Sequence, residues 1–234
     1  MPVSTMRRKI KFGILGCSTI AEKSMIPAII RSSNSELSMI GSRFHKKSKA
    51  FSTKFSCELH GDYNEVLEND QVDAVYISLP PSLQEKWIIK AAKSGKHIIC
   101  EKPGALSTKS AKNIIKECKK NQVRIIENFA FRFHPQQNKV LEIIKKKDIG
   151  EISSFYGNFS FNLISSQNDF RLNKKLGGGI LNDVSGYLIC ASRLIFNENP
   201  NSVFCDLEYD NDIDVSGNIV MKFSKKTSIC SFSY

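Results

Sequence analysis

No two of the seven cysteines form a CxxC pair; Cys17, Cys57, Cys100, Cys118, Cys190, Cys205 and Cys230 are scattered and odd in number. That spacing speaks against a disulfide framework or a zinc ribbon and for reduced thiols in a cytoplasmic protein. Histidine is also scarce. The four present show no ligand spacing, so no metal site is expected. Long apolar runs are missing: none approaches the roughly 18 residues of a membrane span. Residues Met1 to Lys11 are basic but lead into no apolar h-region, so neither a membrane anchor nor a signal peptide is expected. Repeats and low-complexity segments are absent. Acidic residues are in deficit, 23 against 34 Lys and Arg, which leaves a formal net charge of +11. The lysines cluster in short runs such as Lys119-Lys120 and Lys145-Lys146-Lys147, at the ends of helix-like stretches, where the helix dipole favours cations. The same balance attracts phosphorylated ligands. Without a recognised motif or a basic-aromatic strip, nucleic-acid binding is not expected.

What is present is an ordinary globular composition, with 41% hydrophobic and 24% charged residues over 234 positions. The chain is organised around His97-Ile98-Ile99-Cys100-Glu101-Lys102-Pro103. An apolar run reads as a buried parallel strand. Pro103 ends it, because proline has no N–H for the ladder. Lys102 is thereby expected at the C-terminal lip of a sheet, where open α/β sheets bind ligands.

Strand-like and helix-like stretches alternate before it and after it. Lys9–Gly16, Leu37–Gly41, Val72–Leu79 and Val123–Glu127 read as strands. Cys17-Ser18-Thr19-Ile20-Ala21 leads into a helix-like stretch to about Ile30, and helices are predicted over Asp62–Asn69, from a Ser82 cap to Lys93, and from a Ser107 cap to about Lys120. This alternation predicts an α/β fold with a doubly wound parallel sheet. After Phe129 the pattern changes. A helix is predicted from Pro135 to Lys147, then a long alternating strand over Glu151–Ile164, half-buried and antiparallel. A glycine run, Gly177-Gly178-Gly179, precedes a helix over Ile180–Phe196 with Leu181, Val184, Leu188 and Ala191 on one stripe. Three more strands are predicted over 203–209, 213–223 and 227–234. A boundary near Phe129–Pro135 divides the chain into residues 1–130, a dinucleotide-binding domain, and 131–234. The strand-like ending at Tyr234 reads as a truncated sheet, with an extended chain expected to be the more stable.

The first strand–turn–helix matches G-x-G-x-x-G incompletely. Gly16 and Ala21 fit its first and third positions; Ser18 stands at the second, where its hydroxyl can donate to a pyrophosphate. At the end of the second strand an NAD site would carry an acid for the adenosine 2′-OH. Ser42, Arg43, Lys46 and Lys47 stand there instead, and a guanidinium beside ammonium groups suits a 2′-phosphate. NADP is therefore expected, with NAD the alternative. The cofactor-binding candidates are Gly16, Ser18, Thr19, Ile20, Ser42, Arg43, Lys47, Leu79, Pro80, Glu101 and Lys102.

Four segments together, GILGCSTIA, DAVYISLPPSLQEKWIIKAAKSGKHIICEKP, ENFAFRFHPQ and GGGILNDVSGYLICASRL, resemble the Gfo/Idh/MocA oxidoreductases. Within that family the chain is most similar to NADPH-dependent nucleotide-deoxysugar 3-ketoreductases; dihydrodiol dehydrogenase and glucose–fructose oxidoreductase follow. The resemblance implies a Rossmann domain followed by an α+β domain with a large, mostly antiparallel open sheet for substrate binding and oligomerisation. It implies that Lys102 lies beside the nicotinamide, and that Asp183 and Tyr187 occupy the family's second motif. Gln84 and Ser185 depart from it, standing where many members have histidine and glycine. Ketone reduction leaves charge on oxygen, which a fixed cation stabilises and a phenol can protonate. The expected catalytic residues are thus Lys102, Tyr187 and Asp183, the last anchoring Lys102 or a sugar hydroxyl. The expected substrate is a small-molecule sugar, nucleotide-linked, and the full-length form is expected to be a homo-oligomer. The alternatives are a dehydrogenase of free sugars or dihydrodiols, a non-catalytic cofactor sensor like the family's transcriptional repressor, and an inactive fragment.

Overall fold

The computed structural model describes residues 8–163 and 169–234. The chain forms two compact units, Met1–Asn128 and Phe129–Tyr234.

The first unit carries six strands: β1 (Ile10–Leu15), β2 (Ser35–Gly41), β3 (Leu59–Gly61), β4 (Ala74–Ile77), β5 (His97–Cys100) and β6 (Ile125–Glu127). All pair in parallel, in the order β3-β2-β1-β4-β5-β6. Parallel neighbours need crossovers. These are a helical run over 19–31, which contains a π turn (Ala21–Met25) and α1 (Ile26–Arg31), then α2 (His45–Lys54), α3 (Tyr63–Glu68), α4 (Pro81–Lys93) and α5 (Thr108–Lys120). Strand order reverses between β1 and β4, which makes that crevice the topological switch point. Both sheet faces are covered. Ile14 packs with Ala21, Ile26, Ile40 and Tyr76, while its neighbour Leu15 packs with Val75, Ile77, Ile88 and Ile98. This is the doubly wound sheet that the alternating sequence predicts.

Two local expectations are corrected. Ser82 does not cap α4: the helix starts at Pro81, and Pro80 precedes it with no side-chain cap. A proline in the first turn lacks the N–H that a cap would satisfy and already has a helical φ. α2 and β3 had no counterpart in the sequence reading. α2 buries Ser48 and Ser52 rather than an apolar stripe, so it lacks the periodic signal of an amphipathic helix.

The second unit opens with a 3-10 turn (Ala130–Phe133) and α6 (Pro135–Lys146). β7 (Ser154–Ser160), a π turn (Leu181–Ser185), α7 (Gly186–Phe196), β8 (Ser202–Asp210), β9 (Ile213–Lys222) and β10 (Thr227–Ser233) follow. The sheet order is β7-β10-β9-β8. β8, β9 and β10 are antiparallel neighbours, but β7 runs parallel to β10. The strand expected over Glu151–Ile164 is therefore shorter and of the other direction, and its end at Ile164 lies outside the described residues. Alternation reports burial of one face, not the direction of the partner strand. Ile180, Val184, Leu188 and Phe196 meet Ile219, Met221, Phe223, Cys230 and Phe232 in the core of this unit. The fully buried line thus runs through 180, 184 and 188, while Leu181 and Ala191 of the expected stripe are half-buried. Among the described residues no helix is long and apolar enough to cross a membrane.

α3 shows how tightly local sequence sets an element. Asp62 accepts from the backbone N–H of Asn64 at 2.6 Å and of Glu65 at 2.9 Å, and the Glu65 side chain accepts from Asp62 in return. Asp62→Ala removes this capping box and is expected to lower stability by about 1 kcal/mol. Urea denaturation of the two proteins checks it; coincident midpoints would contradict it.

Candidate active site

β1 ends at Gly16, whose φ of +108° is left-handed backbone that glycine adopts without strain. Its N–H donates to the Gly41 carbonyl at 3.0 Å, and its carbonyl accepts from Ser78 Oγ at 2.9 Å. The ends of β1, β2 and β4 are thus pinned together at the switch point. Ser18 Oγ accepts from the Ala21 N–H at 3.1 Å, which caps the helical run and leaves the hydroxyl its own proton to donate. The exposed Thr19 and Ile20 follow in the first helical turn, where backbone N–H groups lack intrahelical partners.

At the end of β2, Ser42 is buried, its N–H donating to Gly61 O and its Oγ accepting from the Phe44 N–H at 3.2 Å. The turn it closes carries Arg43, Lys46 and Lys47 on the surface, with the Arg43 guanidinium 4.9 Å from the centre of the Phe44 ring. Cys17 is buried beside this turn and donates to the carbonyls of Gly41 and Lys47. Burial pushes its thiol up to about 11, against the pull of the Lys47 charge.

After β4, Leu79 is buried and its carbonyl accepts from Gln84 Nε2 at 3.0 Å. Gln84 is itself 1% exposed, and its Oε1 meets no partner among the described residues. The departure at 84 is therefore an interior residue that supports the Leu79-Pro80 turn.

β5 delivers Lys102. The turn that holds it is clamped from both neighbouring strands. Glu101 Oε1 accepts from Tyr76 Oη at 2.6 Å on the β4 side and from Asn128 Nδ2 at 2.7 Å on the β6 side. Glu127 Oε1 accepts from the Gly104 N–H at 2.8 Å. Asn128 N–H donates to Cys100 O at 2.8 Å, and Glu101 N–H to Ile77 O at 2.9 Å. Lys102 and the cis-bonded Pro103 sit between these anchors, both half-buried. Burial, then the charges of Glu127 and Glu101, push the Cys100 thiol up to about 12, which disfavours its thiolate.

In the second unit, Asp183 lies in the π turn and Tyr187 is the second residue of α7. They have different supports. Asp183 Oδ2 accepts from Arg171 Nε at 2.8 Å. The Tyr187 ring stands among Phe129, Phe131 and Phe159, with centroids 5.6, 5.9 and 5.4 Å away. Phe129 and Phe131 of the ENFAFRF segment thus wall the tyrosine's seat together with Phe159. The glycine run serves the helix start. Gly179 has φ of +105°, and a Cβ there would lie 2.0 Å from Asp214 Oδ1. The Asp214 carboxylate uses that space to accept from the Leu181 N–H at 2.6 Å.

Tyr76, Glu127, Asn128, Arg171 and Asp214 carry these supports and were not singled out in the sequence. All but Arg171 lie in strands or at their ends, and all contact partners 12 or more residues away. Among the described residues no group of three or more His, Cys, Asp or Glu is placed to hold a metal ion.

The family model "Oxidoreductase family, NAD-binding Rossmann fold" matches residues 10–129, and the "GFO/IDH/MocA C-terminal domain" matches 138–234. The chain belongs to the Gfo/Idh/MocA oxidoreductase family. It is 34% identical to a dTDP-3,4-didehydro-2,6-dideoxy-alpha-D-glucose 3-reductase of Actinomadura kijaniata, over 91% of this chain and 64% of that protein. It is 36% identical to D-xylose 1-dehydrogenase (NADP(+)) 2 of Haloferax volcanii, over 82% of this chain and 59% of that one. A solved 3-ketoreductase of Actinomadura kijaniata in complex with NADP and TDP-benzene superposes with a TM-score of 0.89 at 31% identity, covering 97% of this chain and 70% of that one. The chain thus spans about three fifths of the length of these two curated relatives.

Tyr76→Phe removes one of the two donors on Glu101 Oε1 inside the core, since Tyr76 is fully buried. Loss of such a charge-assisted bond is expected to cost about 1.5–3 kcal/mol of stability. Equilibrium denaturation measures it, and a change under 0.5 kcal/mol would mean the bond contributes nothing.

Proposed function

We propose that this protein is an NADP-dependent oxidoreductase that reduces a ketone of a sugar, and that the sugar is a nucleotide-linked deoxysugar. The observation that carries the reading is the clamped turn at the end of β5, one strand from the switch point. It fixes the backbone on both sides of Lys102 and so presents a preorganised ammonium group. Similarity to the dTDP-sugar 3-reductase supports the substrate class.

The residues at the strand ends fit the cofactor. Gly16, Ser18, Thr19 and Ile20 offer backbone and hydroxyl donors at a helix start, which suits a pyrophosphate. The surface cations Arg43 and Lys47 suit a 2′-phosphate, while the buried Ser42 shapes their turn. Leu79 and Pro80 wall the adjoining crevice, and Glu101 anchors the lysine. Bound NADPH supplies a hydride to the carbonyl carbon. Lys102 stabilises the charge that develops on the substrate oxygen, Tyr187 donates the proton, and Asp183 orients a substrate hydroxyl. The aromatic seat of Tyr187 supports its role by fixing the phenol's direction. In this reading the first unit is the cofactor domain and the second the substrate domain. Similarity to the D-xylose dehydrogenase favours a second reading, a dehydrogenase of free sugars with the same residues in the same roles.

Cys17, Cys57, Cys100, Cys118, Cys205 and Cys230 are free thiols, which suits the reducing cytoplasm. On the second sheet, strand register aligns Tyr156, Ile229, Val220 and Phe204 in one row, with Tyr156 73% and Phe204 66% exposed. Such a row supports self-association of the protein through this face.

Arg43→Ala is expected to weaken NADPH binding at least tenfold, as measured by fluorescence titration, and to leave NADH binding nearly unchanged. Equal losses for both cofactors would remove the 2′-phosphate role. Tyr187→Phe keeps the packed ring and removes the hydroxyl. Steady-state reduction of a keto-sugar should then fall on the order of 10²-fold, with NADPH affinity intact. Near-normal turnover would show that another group supplies the proton.

A further inference from the structure

We propose that Arg171 is the positioning residue for Asp183, holding its carboxylate in one orientation through turnover. The inference rests on the reading of Asp183 as a substrate-orienting group. Arg171 reaches the start of the 180–196 helix twice. Its carbonyl accepts from the Gly179 N–H at 2.9 Å, and its Nε donates to Asp183 Oδ2 at 2.8 Å. The guanidinium is held from the far side by Asp169, whose Oδ2 and Oδ1 accept from Nη1 at 3.1 and 3.3 Å. Asp169 Oδ1 also accepts from the Arg171 N–H at 3.0 Å, so the backbone and side chain of the arginine share one anchor.

Charge and burial make the arrangement directional. The side chains of Asp169 and Asp183 are 14% and 10% exposed, and one guanidinium at 34% lies between them. Buried carboxylates need compensation by a fixed cation. A planar fork can serve both acids at once and thereby sets the angle of each, whereas an ammonium on a flexible stem supplies charge without that angle. The burial of Tyr234 beside Asp183 and Arg171 agrees with a low-dielectric setting: its phenol, without a partner among the described residues, is pushed well above the ordinary tyrosine range by burial first. Electrostatic control of the Asp183 angle is strong in such surroundings.

The test is Arg171→Lys, which keeps the compensating charge and hence the fold, alongside Asp169→Asn, which frees the far side of the guanidinium without touching Asp183. Both proteins are assayed with NADPH and a keto-sugar, with NADPH affinity followed separately by fluorescence. Arg171→Lys is expected to lower kcat/KM for the sugar at least tenfold and to leave NADPH affinity within twofold. Asp169→Asn should produce a smaller loss of the same kind. Combining Arg171→Lys with Asp183→Asn should cost no more than Asp183→Asn alone. The inference is overturned if wild type is active and Arg171→Lys retains kcat/KM within twofold, or if its loss multiplies with that of Asp183→Asn. A wild type that reduces no keto-sugar instead overturns the functional reading, and this inference with it.

Discussion

One oxygen atom carries much of the organisation of the first unit. Glu101 Oε1 accepts from Tyr76 on β4 and from Asn128 just past β6. β5 lies between those strands in the sheet. The clamp therefore closes only when three parallel strands with intervening helices have assembled in that order. Its partner bond, from Gly104 to Glu127, fixes the far side of the same turn. Lys102, between these anchors, thereby has a defined backbone position at the carboxyl end of β5. A carboxylate with two short donors is also costly to leave half-satisfied, so the turn and the sheet stabilise one another.

The second unit solves a different problem with similar means. A helix must begin at Ile180 with orphan N–H groups facing a packed interior. No serine or threonine caps it locally. The carboxylate of Asp214 comes instead from β9, and Gly179 leaves the space for it. The widened π turn then carries Asp183 to Arg171 before the chain settles into α7, where Tyr187 enters its seat of three phenylalanines. A π turn within a helix is a common mark of a functional segment. Here it separates an acid fixed by charge from a phenol fixed by packing, two supports that a mutation can remove one at a time.

Much of the architecture was legible in the sequence. The apolar runs at 72–79 and 97–100 announced buried parallel strands, and Pro103 announced where the lysine would stop. The capping of α5 was written in Ser107. What escaped had physical reasons. α2 packs through serines and so hid its period. The direction of β7 is a property of its partner, β10, some 70 positions on, and alternation in one strand says nothing of it. The glycine run was legible only as a helix lead-in, because Gly179 makes room for a carboxylate that arrives from another strand. Arg171 and Tyr76 escaped for the same reason, since nothing near them in the chain announces their bonds to Asp183 and Glu101. Local pattern reveals elements, whereas long-range hydrogen bonds belong to the assembled fold.

The central claim is that the clamp holds Lys102 to stabilise charge on a carbonyl oxygen during hydride delivery. Its most direct test is a single-turnover experiment with NADPH deuterated at the transferred position, a keto-sugar, and either wild type or Lys102→Ala. The account predicts deuterium on the carbinol carbon of the wild-type product, and transfer slowed on the order of 10²-fold or more in Lys102→Ala at saturating NADPH. Transfer at the wild-type rate without the lysine would contradict it.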